Sequence, residues 1–181
     1  MESLVLIFVY LDKAYGNTII IDRMIPKVNT SMEIETNWLK SIYGEDNQEE
    51  IPANIPKPLG NPMSVNFSVD ASYAVEKLTY RSHTGILIYA NNTLIDWLSK
   101  RQNTVETSTF GAELIAAWIS TEKFKSLRKN LRWIGIPIDG PTYIFFDNES
   151  VVNFKSRAES TPSKKHQLIF WHSVRETISS G

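Results

Sequence analysis

The sequence predicts an α/β domain built on a mixed sheet, three antiparallel strands followed by a fourth parallel to the first, with helices packed on it. Three observations predict it. Val65, Phe67 and Val69 alternate with Asn66, Ser68 and Asp70, the period of a half-buried strand. Thr84–Tyr89 and Thr93–Leu98 flank Asn91-Asn92, residues that tolerate the positive φ of a tight hairpin. A long helical pattern then leads to Tyr143–Phe146, and a helix joining two strands of one sheet is a right-handed crossover that leaves them parallel.

Before this core, residues 1–43 carry weaker signals. Leu4–Leu11 is a run of eight apolar residues, too few for a membrane span of roughly 20. It follows Met-Glu, not a basic segment, which argues against a signal peptide and for a buried strand or helix. Thr18–Ile21 is expected as a short strand. Ser31–Tyr43 is expected as a helix with Trp38, Leu39 and Ile42 on one face, too small to make a core alone. Residues 44–63 open with Glu45, Asp46, Glu49 and Glu50 and continue through Pro52, Pro56, Pro58 and Pro62. Prolines at that density forbid a helix or a central strand and predict an extended linker.

The domain proper is expected over 64–181. Its long helix runs from about Ser108 to Trp133, with Phe110, Leu114, Ala117, Thr121, Phe124, Leu127 and Leu131 recurring at three and four. Ser108 or Thr109 can cap it. Gly135 and the turn Asp139-Gly140-Pro141 end the crossover. Tyr143–Phe146 is unbrokenly apolar, as a strand buried on both faces should be. Ser150–Lys155 reads as a short helix, and Thr161-Pro162 opens another that runs to about Ser179. Trp97, Trp118 and Trp133 fall on core positions and are expected to pack rather than to stack on bases.

Composition excludes some chemistries. The chain has 181 residues, 42% hydrophobic, and no cysteine, so disulfides and thiolate zinc sites are ruled out. A formal charge of −1 conceals an uneven distribution: residues 1–60 hold five basic and nine acidic side chains, and residues 61–181 hold fourteen and eleven. That modest basic excess in the second part suits a phosphate partner and grows if metal ions take up acids, but by itself it is unremarkable for a segment of that length.

Three carboxylates stand where chemistry is done. Asp70 closes the first strand, Asp147 follows the fourth, and Glu113 lies in the first turns of the long helix beside Gly111 and Ala112. The first and fourth strands are expected to be neighbours, with the helix across them. Two unit charges ~4 Å apart repel by about 4 kcal/mol at an effective dielectric of 20, so three together call for cations. Oxygen ligands without cysteine select magnesium or manganese over zinc, and two such ions make a clamp for in-line displacement at phosphorus.

At these residues the chain resembles the ribonuclease H domain of copia-type retrotransposons. The resemblance lies in VDASYA (Val69–Ala74), RSHTGILIY (Arg81–Tyr89), WLSKRQNTVETSTFGAE (Trp97–Glu113), FFDNESVV (Phe145–Val152) and KKHQLIFWHSVRE (Lys164–Glu176), in the family's order. It implies a ribonuclease H-like fold and hydrolysis of the RNA strand of an RNA–DNA hybrid. Asp70, Glu113 and Asp147 would be the catalytic and metal-binding carboxylates, with two Mg2+ or Mn2+ ions. The acidic order matters: integrases share the fold but place their Glu last, whereas Glu113 precedes Asp147. VYLDKAYGNTIIID (Val9–Asp22) resembles the end of the family's reverse transcriptase, and Glu49–Pro62 its tether to the nuclease. The implied division is a polymerase remnant over 1–43, a linker over 44–63 and the nuclease over 64–181.

The family carries a fifth strand and a final helix with a fourth carboxylate beyond the segment matched by the last residues here. Their loss is expected to weaken metal binding and activity, and to leave Tyr143–Phe146 as an exposed apolar edge. The implied partners are an RNA–DNA hybrid and the upstream reverse transcriptase, without a membrane. The implied setting is intracellular, in the cytoplasm, a virus-like particle or the nucleus. The alternatives are a non-enzymatic transposon remnant and a nucleic-acid-binding module without catalysis.

Among the remaining polar residues, Arg101, Gln102, Asn103 and Thr104 precede the long helix and are candidates for reading sugar hydroxyls. His172 is expected as a structural histidine away from the acids. His83 and His166 lack partners at metal-ligand spacing, and Lys164-Lys165-His166 reads as a solvated helix start as readily as a phosphate contact.

Overall fold

The computed structural model describes residues 22, 24–27, 37–44, 48–49, 51–148 and 165–180. The apolar run Leu4–Leu11, the strand over Thr18–Ile21, the start of the helix expected from Ser31, the helix over Ser150–Lys155 and the cap at Thr161-Pro162 lie outside those residues. Among the described residues, no helix is long and apolar enough to cross a membrane.

The elements, in chain order, are α1 (Asn37–Tyr43), β1 (Val65–Ser72), β2 (His83–Ala90), β3 (Thr93–Arg101), α2 (Thr109–Trp133), β4 (Tyr143–Phe146) and α3 (Lys165–Ser179). The four strands form one sheet in the order β3-β2-β1-β4. β1 pairs antiparallel with β2 and parallel with β4, and β2 pairs antiparallel with β3. This is the mixed α/β sheet expected from the sequence. Asn91 takes the left-handed φ of 53° at the hairpin, and its amide donates to Ser64 O at 2.9 Å, tying the turn to the entrance of β1.

Val65, Phe67, Val69, Ile86 and Ile88 from the sheet and Ala116, Phe124 and Leu131 from α2 make the core. Phe67 and Phe124 meet edge to face, with ring centroids 6.4 Å apart. Each such side chain contributes about 1.5–3 kcal/mol by leaving water. The expected stripe on α2 holds in its later turns. Its first turns are buried all round, from Gly111 to Ala117, because α2 lies between the sheet and α3. Ser108 caps the helix, its Oγ accepting from Gly111 N–H at 3.1 Å. At the other end Gly135 adopts φ 77°, Ile136 N–H donates to Leu131 O at 3.0 Å and Gly135 N–H to Arg132 O at 3.0 Å. These are the two bonds of a Schellman motif, and only glycine takes that φ without strain.

Two expectations about burial need correction. Trp97 is 68% exposed and Trp133 45% exposed; only Trp118 packs, stacked on Phe170 of α3 at 4.6 Å. The cause at Trp97 is a β-bulge. Ala90↔Thr93 and Tyr89↔Leu94 set one register, but Ile88 pairs with Asp96, which leaves Ile95 as the extra residue. Continuing the hairpin register without the bulge would set Trp97 opposite buried Ile86. With it Trp97 faces Leu87, on the other side of the sheet. The second correction concerns β4: its residues are half-buried and Phe145 is 45% exposed. Among the described residues β4 is an edge strand, paired with β1 alone.

The segment before the sheet is docked. Leu59 N–H donates to Gly135 O at 2.8 Å, Met63 N–H to Pro137 O at 3.0 Å, and Asp139 N–H to Met63 O at 2.9 Å. The expected extended conformation is therefore that of a strap across the end of α2. Glu49 strengthens it: its carboxylate lies 2.9 Å from Arg128 Nη2 and 2.6 Å from Arg132 Nη2. α1 finds its missing apolar company on α3. Leu39 is 1% exposed, and the Arg175 guanidinium lies over the rings of Trp38 and Trp171, at 4.4 and 3.7 Å from their centroids. Burial lowers the Arg175 pKa to about 10, so the group stays charged at neutral pH.

Candidate metal centre

The parallel β1–β4 ladder ends at Val69↔Phe146, so Asp70 and Asp147 are the first residues past it on neighbouring strands. β1 itself continues to Ser72 through its pairing with β2. Glu113 comes from the first turns of α2. The three residues each offer a carboxylate oxygen, and these oxygens all lie within 4.8 Å of one another. Asp70 and Asp147 are exposed and Glu113 is buried, so the cluster is open to solvent on the aspartate side.

The donor set fits a hard divalent cation. An octahedral ion with ligands at about 2.1 Å spaces them about 3 Å apart when adjacent and about 4.2 Å when opposite. Oxygens within 4.8 Å need only a small closing movement to reach that geometry. The triad consists of carboxylate oxygens, without the nitrogen or sulfur ligands that favour zinc, which suits a hard divalent cation.

The loop candidates divide. Arg101 ends β3 opposite His83, which in turn pairs with Ser72, so the loop leaves from the sheet end toward which Asp70 lies. Arg101 pairs with Glu76 at 2.8 Å, and Asn103 and Thr104 are exposed. Gln102 is 2% exposed and faces inward. Its Nε2 donates to Thr84 Oγ1 at 3.0 Å and to Ala112 O at 2.8 Å, and its backbone N–H donates to Ser82 O at 2.8 Å. Its side chain therefore fixes the residue before Glu113 instead of reading a substrate.

Two of the histidines make structural contacts. His172 Nδ1 lies 2.8 Å from Tyr43 Oη, joining α3 to α1. His83 is half-buried at the start of β2. His166, expected as part of a solvated helix start, has Nε2 3.0 Å from Glu106 Oε1. Glu106 is the residue that sequence reasoning missed. It looks like a loop acid, yet it is 2% exposed and accepts from Gln167 Nε2 at 2.7 Å. Its partners on α3 lie about 60 positions away, so no local spacing announces that it is buried.

No family model matches the chain. Over 122 residues, 67% of the chain, it is 28% identical to the retrovirus-related Pol polyprotein from transposon RE1 of Arabidopsis thaliana. Over the same length it is 26% identical to the corresponding polyprotein from transposon RE2 of that plant. The matched stretch spans 8% of each relative's length. The chain is thus similar to a small part of a retrotransposon Pol polyprotein, and it presents an acidic triad on a mixed sheet.

Proposed function

We propose that this chain is the ribonuclease H-like part of a copia-type retrotransposon polyprotein, hydrolysing the RNA strand of an RNA–DNA hybrid with two Mg2+ or Mn2+ ions. The observation that carries the reading is the convergence of Asp70 in β1, Glu113 in α2 and Asp147 just after β4, whose oxygens lie within 4.8 Å of one another. The similarity to Pol polyproteins supports it. On the same reading residues 1–43 are the tail of the polymerase and 44–63 its tether, and the protein works inside the cell beside that polymerase.

Asp70, Glu113 and Asp147 would hold the ions, which when bound supply an activated water and charge neutralisation at the scissile phosphate. Asp70 and Asp147, being exposed, leave the approach to that phosphate clear. Arg101 ends β3 at the same sheet end, and Asn103 and Thr104 follow it in the loop, where amide and hydroxyl groups would meet the sugar hydroxyls that distinguish RNA.

Incubating a labelled RNA–DNA hybrid with the 181-residue chain in Mg2+ or Mn2+ tests this. Metal-dependent cleavage of the RNA strand is expected, and Asp70→Asn should reduce it by roughly a thousandfold, the effect of several kcal/mol lost at the metal clamp. Cleavage that survives chelation or Asp70→Asn overturns the assignment. Salt-dependent hybrid binding without any cleavage favours the non-catalytic binding module instead.

A further inference from the structure

We infer that Glu106, buried beneath the first turn of α2, is a positioning residue for the metal centre; the inference rests on the nuclease reading above. The Glu106 side chain is wholly removed from solvent. One oxygen accepts from Gln167 Nε2 at 2.7 Å, and the other lies 3.0 Å from His166 Nε2 and 3.4 Å from Thr104 Oγ1. The carboxylate therefore joins the loop before α2 to the first turn of α3.

It does so directly against the backbone that carries Glu113. A Cβ built on Gly111 would come within 2.5 Å of Glu106 Oε2 and 2.6 Å of Gln167 Nε2. Glycine at 111 is thus the condition for this packing, even though glycine costs a helix stability relative to alanine. On the neighbouring residue, Gln102 Nε2 holds Ala112 O at 2.8 Å. Ser108 Oγ holds Gly111 N–H at 3.1 Å. Gln102 and Ser108 thus hold the two residues preceding Glu113 by hydrogen bonds, and Glu106 packs α3 closely against the same backbone. A carboxylate ligand is effective only when its backbone is fixed to within a fraction of an ångström, which is what such a supporting layer provides. Glu106 is not one of the three carboxylates whose oxygens converge, and its own oxygens face His166 and Gln167, so it acts through Gly111 and not as a ligand.

Manganese titration of the full chain, read by calorimetry and by the Mn2+ paramagnetic resonance spectrum, tests this in a form that separates it from the nuclease reading. Wild type is expected to bind Mn2+; failure to do so overturns the nuclease reading and the positioning role with it. Glu106→Ala is expected to bind roughly tenfold more weakly, and Glu106→Gln, which keeps the shape and an acceptor, to restore the affinity. Gly111→Ala alone should weaken binding through its clash. Combined with Glu106→Ala it should do less harm than alone, because the added methyl then enters vacated space. Wild-type affinity in folded Glu106→Ala, or strictly additive losses in the double variant, overturns the positioning role. Where Glu106→Ala alone fails to fold, the comparison of Gly111→Ala with the double variant decides: recovery supports the role and none overturns it.

Discussion

The two faces of the sheet are built from the same alternating strands and end in opposite environments. On one face the rows Leu98–Ile86–Val69–Phe146 and Asp96–Ile88–Phe67–Ile144 run across all four strands, with Phe67, Val69, Ile86 and Ile88 at most 4% exposed beneath α2. On the other, the row between them is Trp97–Leu87–Ser68–Phe145, and its three large side chains are 68%, 41% and 45% exposed. Alternation decides which residues share a face. It does not decide which face is covered, since that depends on where a helix from elsewhere in the chain comes to lie.

The sharpest way to break this comparison is Phe67→Ala. Phe67 is fully buried against Phe124, and its loss leaves a cavity that neighbours fill only in part. The expected cost is about 3–5 kcal/mol, read from urea unfolding. A cost below about 1 kcal/mol would mean that the Phe67 face is not the core.

The same contrast shows how much was legible in the sequence. Strands, hairpin, long helix and crossover follow from periods of two and near four, and the structure keeps them. The triad was legible because Asp70 and Asp147 lie just past the ladder that joins neighbouring strands and Glu113 opens a long helix, all readable from order along the chain. Trp97 was misplaced because a single extra residue at Ile95 reverses the face of everything beyond it, and no composition marks the bulge. Glu106, the Arg175 sandwich and the Glu49 clamp were invisible for a shared reason. Each is a polar group that looks solvated until a distant segment closes over it.

That Glu49 clamp supplies the intermediate effect. It straps the linker to Arg128 and Arg132 on α2, the helix that covers the apolar face. Burial pushes the Glu49 pKa up, but hydrogen bonds and charge from the two arginines outweigh it, and the net shift is downward from 4.5. A carboxyl with a depressed folded-state pKa stabilises the fold above its unfolded pKa and loses that contribution as pH falls through the folded value. Glu49→Gln is therefore expected to cost about 1–2 kcal/mol at pH 7, discounted for partial exposure. The gap from wild type should close as the pH drops below 4.5. Parallel stability curves across that range would show that the clamp contributes no charge interaction.

The smallest effect belongs to the open face. Trp97→Thr replaces the most exposed member of the Trp97–Leu87–Ser68–Phe145 row with a residue that suits a strand. Little apolar area returns to water, because most of the indole is already there, so unfolding free energy should change by less than about 0.5 kcal/mol. Light scattering on concentration should fall, since the variant interrupts an apolar row that runs to the β4 edge, where a second chain could pair. A loss of about 2 kcal/mol or more would mean that the indole is covered in solution, and the two faces would then differ in what covers them rather than in whether they are covered.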